Sequence, residues 1–274
     1  SNQSPSPNQN MTCYRHADRE AYVRCQRCEQ LICPACQVES AVGFLCPDDA
    51  GGTPEKLSRQ RSRTQLAGKP RLTVALMAIS IAVWFLQLSP IGQTVEIYFS
   101  YTPLATTIAP WQMLTAAFLH GSWLHLLFNM FTLYIFGQVL EPMLGRARFL
   151  ALYLVAAFGG SVAVLFFSNP VSSVVGASGA IYGLMGAYFV LLRSVGERAG
   201  QLTGLIAINL IFSFLSPGIS WQAHIGGLAI GAAVAAIYAG TRRPEQRQSQ
   251  IISVLLLVAG LVAATVFQVN NYGI

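Results

Sequence analysis

The sequence predicts an all-α polytopic membrane protein preceded by a small cysteine-rich head, and three observations carry that class. Only 10% of the 274 residues are charged while 53% are hydrophobic, whereas soluble domains of ordinary composition carry about 25% charged residues. All six cysteines lie between positions 13 and 46. From Arg71 onward, apolar runs follow one another almost to the end; a bilayer core needs about 20 apolar residues per helix, so the stretch 71–268 has room for seven. A mean hydropathy of +0.49 excludes a single water-soluble fold. The net charge of +6 then bears on membrane orientation, and no nucleic-acid partner is expected.

Taken in chain order, residues 1–10 (SNQSPSPNQN) are polar and rich in Pro and Ser, a composition that reads as disordered. The chain opens on Ser1, which reads as a fragment boundary, with Met11 a candidate natural start. Residues 11–52 form the cysteine module and 53–70 a basic linker. No signal peptide precedes the module, so it is expected to stay on the cytoplasmic side. Apolar segments fall at 71–89, 119–140, 148–168, 177–193, 201–215 and 221–240, giving six helices over 71–240, and a seventh lies within 250–268. Basic residues flank alternate ends. Arg59, Arg61, Arg63, Lys69 and Arg71 precede the first helix, Arg146 and Arg148 follow the second, Arg193 and Arg198 the fourth, and Arg242, Arg243 and Arg247 the sixth. The other connections, 90–118, 169–176, 216–220 and 269–274, carry no Lys or Arg. The positive-inside rule therefore predicts a cytoplasmic N-terminus and an outer C-terminus, in what reads as a bacterial plasma membrane. The 90–118 connection is long yet aromatic (Tyr98, Phe99, Tyr101, Trp111), so it is expected to sink partly into the outer interface, with its backbone satisfied internally.

Polar residues at membrane depth are costly and are functional candidates by default. His120, His125 and His224 are the histidines beyond the head, each near the outer end of its segment. His125 and Asn129 are four apart in HLLFN and share one helix face. Ser178 sits in Gly176-Ala177-Ser178-Gly179, where the fourth helix enters from outside, and His224 lies a few residues into the sixth from the same side. A serine in such a motif, taken alone, is more often a packing residue than a nucleophile. The joint placement at one depth is what points to chemistry. Gly179, Gly183 and Gly186 line one side of the fourth helix, and Gly227 and Gly231 form GxxxG on the sixth; small residues at this spacing let backbones approach closely. Ser178 and His224 are thereby expected within hydrogen-bond reach.

A serine hydroxyl needs a base to become a nucleophile, and His224 is the natural one. No carboxylate lies in a membrane segment near it, since Glu141 is at the inner end of the second helix and Glu96 is in the outer loop. The set thus predicts a dyad, with Tyr182 packed on the imidazole to orient it. His125, the Asn129 amide and the Ser178 backbone N–H are the candidate oxyanion donors. The chain lacks the HExxH pattern of a zinc metalloprotease and any pair of intramembrane aspartates. Catalysis is expected to need no cofactor.

At these residues the sequence resembles the rhomboid family of intramembrane serine proteases. The matching stretches are HGSWLHLLFNM (120–130), FGQVLEPMLGRARFL (136–150), GASGAIYGLMG (176–186) and AHIGGLAIG (223–231). The resemblance implies a six-helix protease core with Ser178 as nucleophile and His224 as general base. It assigns His125 and Asn129 to oxyanion stabilisation and His120 to support at the outer edge of the second helix. It implies transmembrane segments of single-pass proteins as substrates, and the extra helix resembles the six-plus-one arrangement of part of the family. One departure is Trp111-Gln112, where the family usually shows Trp-Arg. The expected consequence is a lost loop contact rather than lost chemistry. The alternatives are a catalytically silent relative that binds transmembrane helices, which retention of both Ser178 and His224 disfavours, and a transporter, which lacks a buried carboxylate or cation cluster.

The head reads Cys13-x2-His16, Cys25-x2-Cys28, Cys33-x2-Cys36 and Cys46-x2-Asp49. Four paired hooks match zinc-ligand spacing, and a reducing cytoplasm disfavours disulfides. Two structural zinc ions are the expected cofactors. The order of pairs resembles B-box zinc fingers, which implies interleaved ligation: Cys13, His16, Cys33 and Cys36 at one site, and Cys25, Cys28, Cys46 and Asp49 at the other. Sequential pairing stays open on spacing alone. The default role for such a module is binding, toward a cytoplasmic protein partner.

Overall fold

The structure is a computed structural model that describes residues 11–40, 43–57 and 69–273. The N-terminal stretch 1–10 and the basic stretch 58–68, which was expected to form most of the linker, lie outside the described residues. The chain divides into two compact units, residues 1–69 and 70–274.

The first unit is built on two short antiparallel hairpins. Strand β1 (Val23–Arg24) pairs with β2 (Leu31–Ile32), and β3 (Val38–Ser40) pairs with β4 (Gly43–Leu45), followed by a single turn of helix, α1 (Pro47–Ala50). Its buried apolar cluster contains Ala21 and Ile32 but is otherwise Cys13, Cys25, Cys33, Cys36 and Cys46. With Val38, also buried, these few aliphatic side chains do not make a core that can hold a domain of this size.

The second unit is helical: α2 (Arg71–Leu88), α3 (Gly92–Phe99), α4 (Gln112–Thr115), α5 (Trp123–Leu144), α6 (Arg146–Phe167), α7 (Ser178–Ser194), α8 (Gly200–Leu215), α9 (Trp221–Gly240) and α10 (Arg247–Tyr272). Five of its helical stretches are long and apolar enough to cross a membrane: α2, α5, α6, α9 and Pro244–Tyr272, which contains α10. The protein is an integral multi-pass membrane protein. Every predicted apolar segment is a helix, but the second, expected over 119–140, spans Trp123–Leu144, and the last, expected over 250–268, spans Arg247–Tyr272. The second helix was expected from 119 but begins at Trp123, because Ser122 Oγ accepts from the His125 N–H at 3.1 Å and caps it there. His120 therefore lies in the turn before α5 rather than on it.

Glycines decide how closely α6, α7 and α9 pack. A Cβ on Gly227 would fall inside the Gly179 carbonyl, and one on Gly231 inside the Gly183 carbonyl. On the other side, a Cβ on Gly226 would lie 2.6 Å from the Gly159 oxygen of α6. The α7 and α9 backbones are thus in direct contact. At the far end of α5, the buried Glu141 carboxylate accepts from Leu72 N at 2.9 Å and from Thr73 N and Thr73 Oγ1 at 2.8 Å each. It satisfies two of the orphan donors at the start of α2.

The 90–118 connection satisfies part of its backbone within the protein. Tyr101 and Val174 exchange both backbone hydrogen bonds, at 3.0 and 2.8 Å. Buried Gln112 donates through Nε2 to Ile97 O at 3.1 Å and accepts at Oε1 from Thr102 N at 3.4 Å. Its Nε2 also lies 3.4 Å from Tyr98 O, so the amide reaches two carbonyls of the connection without carrying a charge.

Replacing Gly227 with Val is expected to lower the thermal midpoint in detergent, through an overpacking cost of about 3 kcal/mol or more. Gly260→Ala, at a position with nothing within 4 Å, should leave the midpoint within about 1 °C or raise it. Differential scanning of the two variants checks the contrast.

Candidate active site and metal clusters

Ser178 is the first residue of α7, and His224 lies one turn into α9, capped by Ser220. The glycine contact between these helices brings His224 Nε2 to 2.8 Å from Ser178 Oγ. The ring of Tyr182 stacks on the imidazole at 4.2 Å between centroids and 15° between planes. The Tyr182 hydroxyl lies 3.3 Å from Ser213 Oγ. Ser213, on α8, sits 2.7 Å from His224 Nδ1 and donates to Asn209 O at 2.8 Å.

His125 and Asn129 occupy one face of α5 and line the same cavity, of about 670 Å3, as Ser178 and His224. The Gly121 N–H donates to His125 Nδ1 at 3.2 Å. With Nδ1 accepting, the neutral ring carries its proton on Nε2. That nitrogen lies 2.8 Å from where a Cβ on Gly176 would stand. Gly176 has φ +126, so the position suits glycine on both counts: a side chain would be strained and would collide with the His125 ring. Asn129 Nδ2 donates to His125 O at 2.7 Å, which leaves its second amide hydrogen unused. The backbone donors at the start of α7 add a partial positive charge beside the Ser178 hydroxyl.

His120 is fully buried, and neither ring nitrogen has a hydrogen-bond partner. Its ring meets His125 edge-on at 5.1 Å, while its backbone N and O both bind the Gln87 amide, at 3.0 and 2.9 Å. It touches the site only through His125. Gly179, Gly227 and Gly231 contact backbone and set helix spacing.

Sequence reasoning singled out neither Ser213 nor Gln87. The signal for Ser213 was present: Asn209 and Ser213 put a polar i, i+4 pair on one face of an otherwise apolar helix. The rule that selected the histidines would have selected that pair too.

In the head, the eight predicted ligands form two groups, with all donor atoms of a group within 4.8 Å of one another: Cys13, His16, Cys33 and Cys36, and separately Cys25, Cys28, Cys46 and Asp49. The pairing is interleaved. Each hook turns back on itself, as where His16 N donates to Cys13 O at 3.1 Å and Cys36 N to Cys33 O at 2.8 Å. His16 Nδ1 lies 3.7, 3.5 and 3.3 Å from the sulfurs of Cys13, Cys33 and Cys36. In the second group Cys28 and Cys46 sulfurs are 3.7 Å apart, and Asp49 Oδ2 lies 3.1 and 3.3 Å from those of Cys25 and Cys46. Contacts from Cys28, Cys25 and Cys46 hold the Asp49 carboxyl below its ordinary pKa, so it is an anionic donor at neutral pH. Cys25 Sγ also accepts from the Cys46 N–H at 3.2 Å, a contact that favours a thiolate. These clusters can hold metal ions.

Comparison with known proteins places the helical unit. A Rhomboid domain matches residues 108–241. Rhomboid protease GlpG of Pectobacterium atrosepticum is 30% identical over 196 residues, covering 68% of this chain and 69% of the relative. Rhomboid protease GluP of Bacillus subtilis is 35% identical over 205 residues, covering 70% of this chain. The putative rhomboid protease YdcA of the same organism is 37% identical over 127 residues, covering 44% of this chain. The chain spans only 39% of GluP and 63% of YdcA. The matched region contains α5 to α9 and with them Ser178, His224, His125 and Asn129. The chain belongs to the rhomboid family.

Proposed function

We propose that the protein is an intramembrane serine endopeptidase that cuts transmembrane segments of single-pass membrane proteins. The observation that carries the reading is the 2.8 Å approach of His224 Nε2 to Ser178 Oγ, made by residues of separate helices at the edge of a cavity lined by polar and apolar side chains. In this reading Ser178 Oγ attacks the scissile carbonyl as His224 Nε2 takes its proton. The negative oxygen of the tetrahedral adduct is held by the Ser178 N–H, the His125 Nε2–H and the free Asn129 amide hydrogen. His224 then returns the proton to the leaving amine, and water hydrolyses the acyl-enzyme by the same route. Tyr182, stacked on the imidazole, fixes the ring plane.

Substrate entry is expected between α8 and its neighbours. That helix buries only Leu202 and Ser213. Phe212 lines the cavity while Phe214 packs on Trp221 with centroids 5.0 Å apart, so only the first of these aromatics borders the site. The distribution of Arg supports a cytoplasmic head and an outward-facing dyad in a bacterial plasma membrane.

For the head, zinc is the metal proposed. Tetrahedral bonds of about 2.3 Å to sulfur and 2.0 Å to nitrogen imply S–N edges of about 3.5 Å and S–S edges of about 3.8 Å. The spacings around His16 and between Cys28 and Cys46 fit those edges. The ligands would replace the missing apolar core, and the exterior would serve a cytoplasmic partner.

Ser178→Ala and His224→Ala should each abolish cleavage of a model transmembrane substrate in proteoliposomes, a loss of roughly 10^4-fold or more, with unchanged insertion. Cleavage retained by either purified variant would sink the dyad. His125→Ala and Asn129→Ala should lower kcat by about 100-fold while KM stays within about twofold; an effect on KM alone would remove the residue from the oxyanion role. Elemental analysis of the purified full chain should find two zinc ions per chain. Chelator should strip the Asp49 site first, and Asp49→Cys should slow that loss, since a thiolate holds zinc more softly and tightly than a carboxylate.

A further inference from the structure

Tyr182 stacking sets the plane of the His224 ring but not which nitrogen carries the proton. A proton on Nε2 would leave the ring unable to accept from Ser178. Something must hold the neutral ring in the other tautomer, with the proton on Nδ1 and the Nε2 lone pair facing the serine. The only side-chain atom within hydrogen-bond distance of Nδ1 among the described residues is Ser213 Oγ, at 2.7 Å, and Ser213 is 3% exposed. Its hydroxyl proton has a destination other than the ring: Asn209 O, one turn back on α8, at 2.8 Å. With that proton committed to a carbonyl, the hydroxyl oxygen can only accept from Nδ1–H.

We infer that Ser213 is a positioning residue that completes a Ser178–His224–Ser213 chain ending on the Asn209 carbonyl, taking the place that a carboxylate holds in a triad. This rests on the protease reading above and deepens it. A neutral hydroxyl suits the setting, because α8 is a mostly lipid-exposed helix and a carboxylate in its place would cost several kcal/mol to bury. The imidazolium formed during attack also strengthens the Nδ1–H bond, so the contact acts on kcat rather than on substrate binding. Because Ser213 sits on α8 and its partners on α7 and α9, movement of α8 away from the site would open the cavity and break this bond together.

The test uses the full chain in detergent and lipid. Ser213→Ala should lower kcat by about 10- to 100-fold, the span of one hydrogen bond to a charged group, with KM within about twofold. Ser213→Thr, which keeps the hydroxyl, should restore most of the rate; a merely structural serine would show no such rescue. Nitrogen NMR of 15N-histidine protein should report Nδ1–H for His224 in the wild type. Loss of activity in Ser178→Ala and His224→Ala, run in parallel, shows that the dyad reading stands. Full kcat in Ser213→Ala beside dead dyad variants overturns the Ser213 role alone. If the Ala variant does not fold, the wild-type spectrum decides, and an Nε2–H signal for His224 overturns the proposal.

A separate observation concerns the opposite ends of the helices. A cavity of about 390 Å3 is lined by Arg148, Arg242, Tyr238 and Gln250 together with apolar side chains such as Leu191 and Val195. Gln250, 5% exposed, donates to Thr241 Oγ1 at 2.8 Å and accepts from Arg148 Nε at 2.7 Å, which holds that guanidinium at the cavity wall. The ion pairs among the described residues are Arg15–Asp48 and Arg146–Glu141, so neither Arg148 nor Arg242 has a carboxylate partner there. Two uncompensated cations above an apolar wall at a membrane boundary match an amphiphilic anion. The structure assigns this cavity to the headgroup of an anionic phospholipid.

In neutral-detergent micelles, phosphatidylglycerol should raise the thermal midpoint of the full chain, and phosphatidylcholine and inorganic phosphate should not. Arg148→Gln/Arg242→Gln should lose the response, as should Arg242→Gln alone to a lesser degree. The single variant serves if the double one fails to fold. An equal response in the variants overturns the site, and an equal response to inorganic phosphate overturns its assignment to lipid.

Discussion

The contact on which the rest depends is backbone against backbone between α7 and α9. In lipid, helices gain little by hiding apolar side chains from a solvent that is equally apolar, so close packing and polar contacts must hold them. Gly179, Gly183, Gly227 and Gly231 remove the side chains that would keep the two axes apart. The approach converts Ser178 and His224 from two polar residues on different helices into a hydrogen-bonded pair at 2.8 Å. A single methyl at Gly227 would displace the helices and the pair together, so packing and chemistry share one interface.

Around that interface many buried polar groups find the partners that a bilayer demands, although the ring nitrogens of His120, Ser80 Oγ, Trp84 Nε1 and the Tyr153 hydroxyl do not. Glu141 caps the start of α2, the Gln87 amide closes on both backbone groups of His120, and Ser161 Oγ donates to Met113 O at 2.7 Å. These contacts tie the outer connection and the inner helix ends to the bundle. They leave α8 as the loosely held wall, with Ile208, Phe212 and Leu215 exposed. The candidate site is therefore loosely packed on its α8 side, which the proposed function takes as the side of entry.

The head solves a different problem by a different means. Its interior is mostly cysteine, with Ala21, Ile32 and Val38 buried beside the sulfurs. Interleaving ties the first hook to the third and the second to the fourth, so each group closes across intervening hairpins rather than within one. A metal ion held by each group would supply the stability that so small an apolar interior does not.

The helices, their order and most of the site residues were legible in the chain, because lipid imposes long apolar runs and makes each polar residue within them conspicuous. Ser178, His224, His125 and Asn129 stand out on those grounds, and the glycine spacing announces which helices meet. The start of α5 was misplaced because hydropathy runs through Phe118 and Leu119 without registering that Ser122 caps the helix. Spacing could also not choose between sequential and interleaved ligands, since both satisfy the same local hooks and only the folded hairpins bring Cys13 to Cys33. The environment of His224 Nδ1 is not legible in the chain. Ser213 lies eleven positions away on another helix, and its distance from the ring depends on how α8 leans on α7 and α9, a rotation that no local pattern encodes. Composition and periodicity record what each segment must bury; which atoms then meet is settled by interhelical geometry of a few tenths of an ångström, and that exists only in the folded protein.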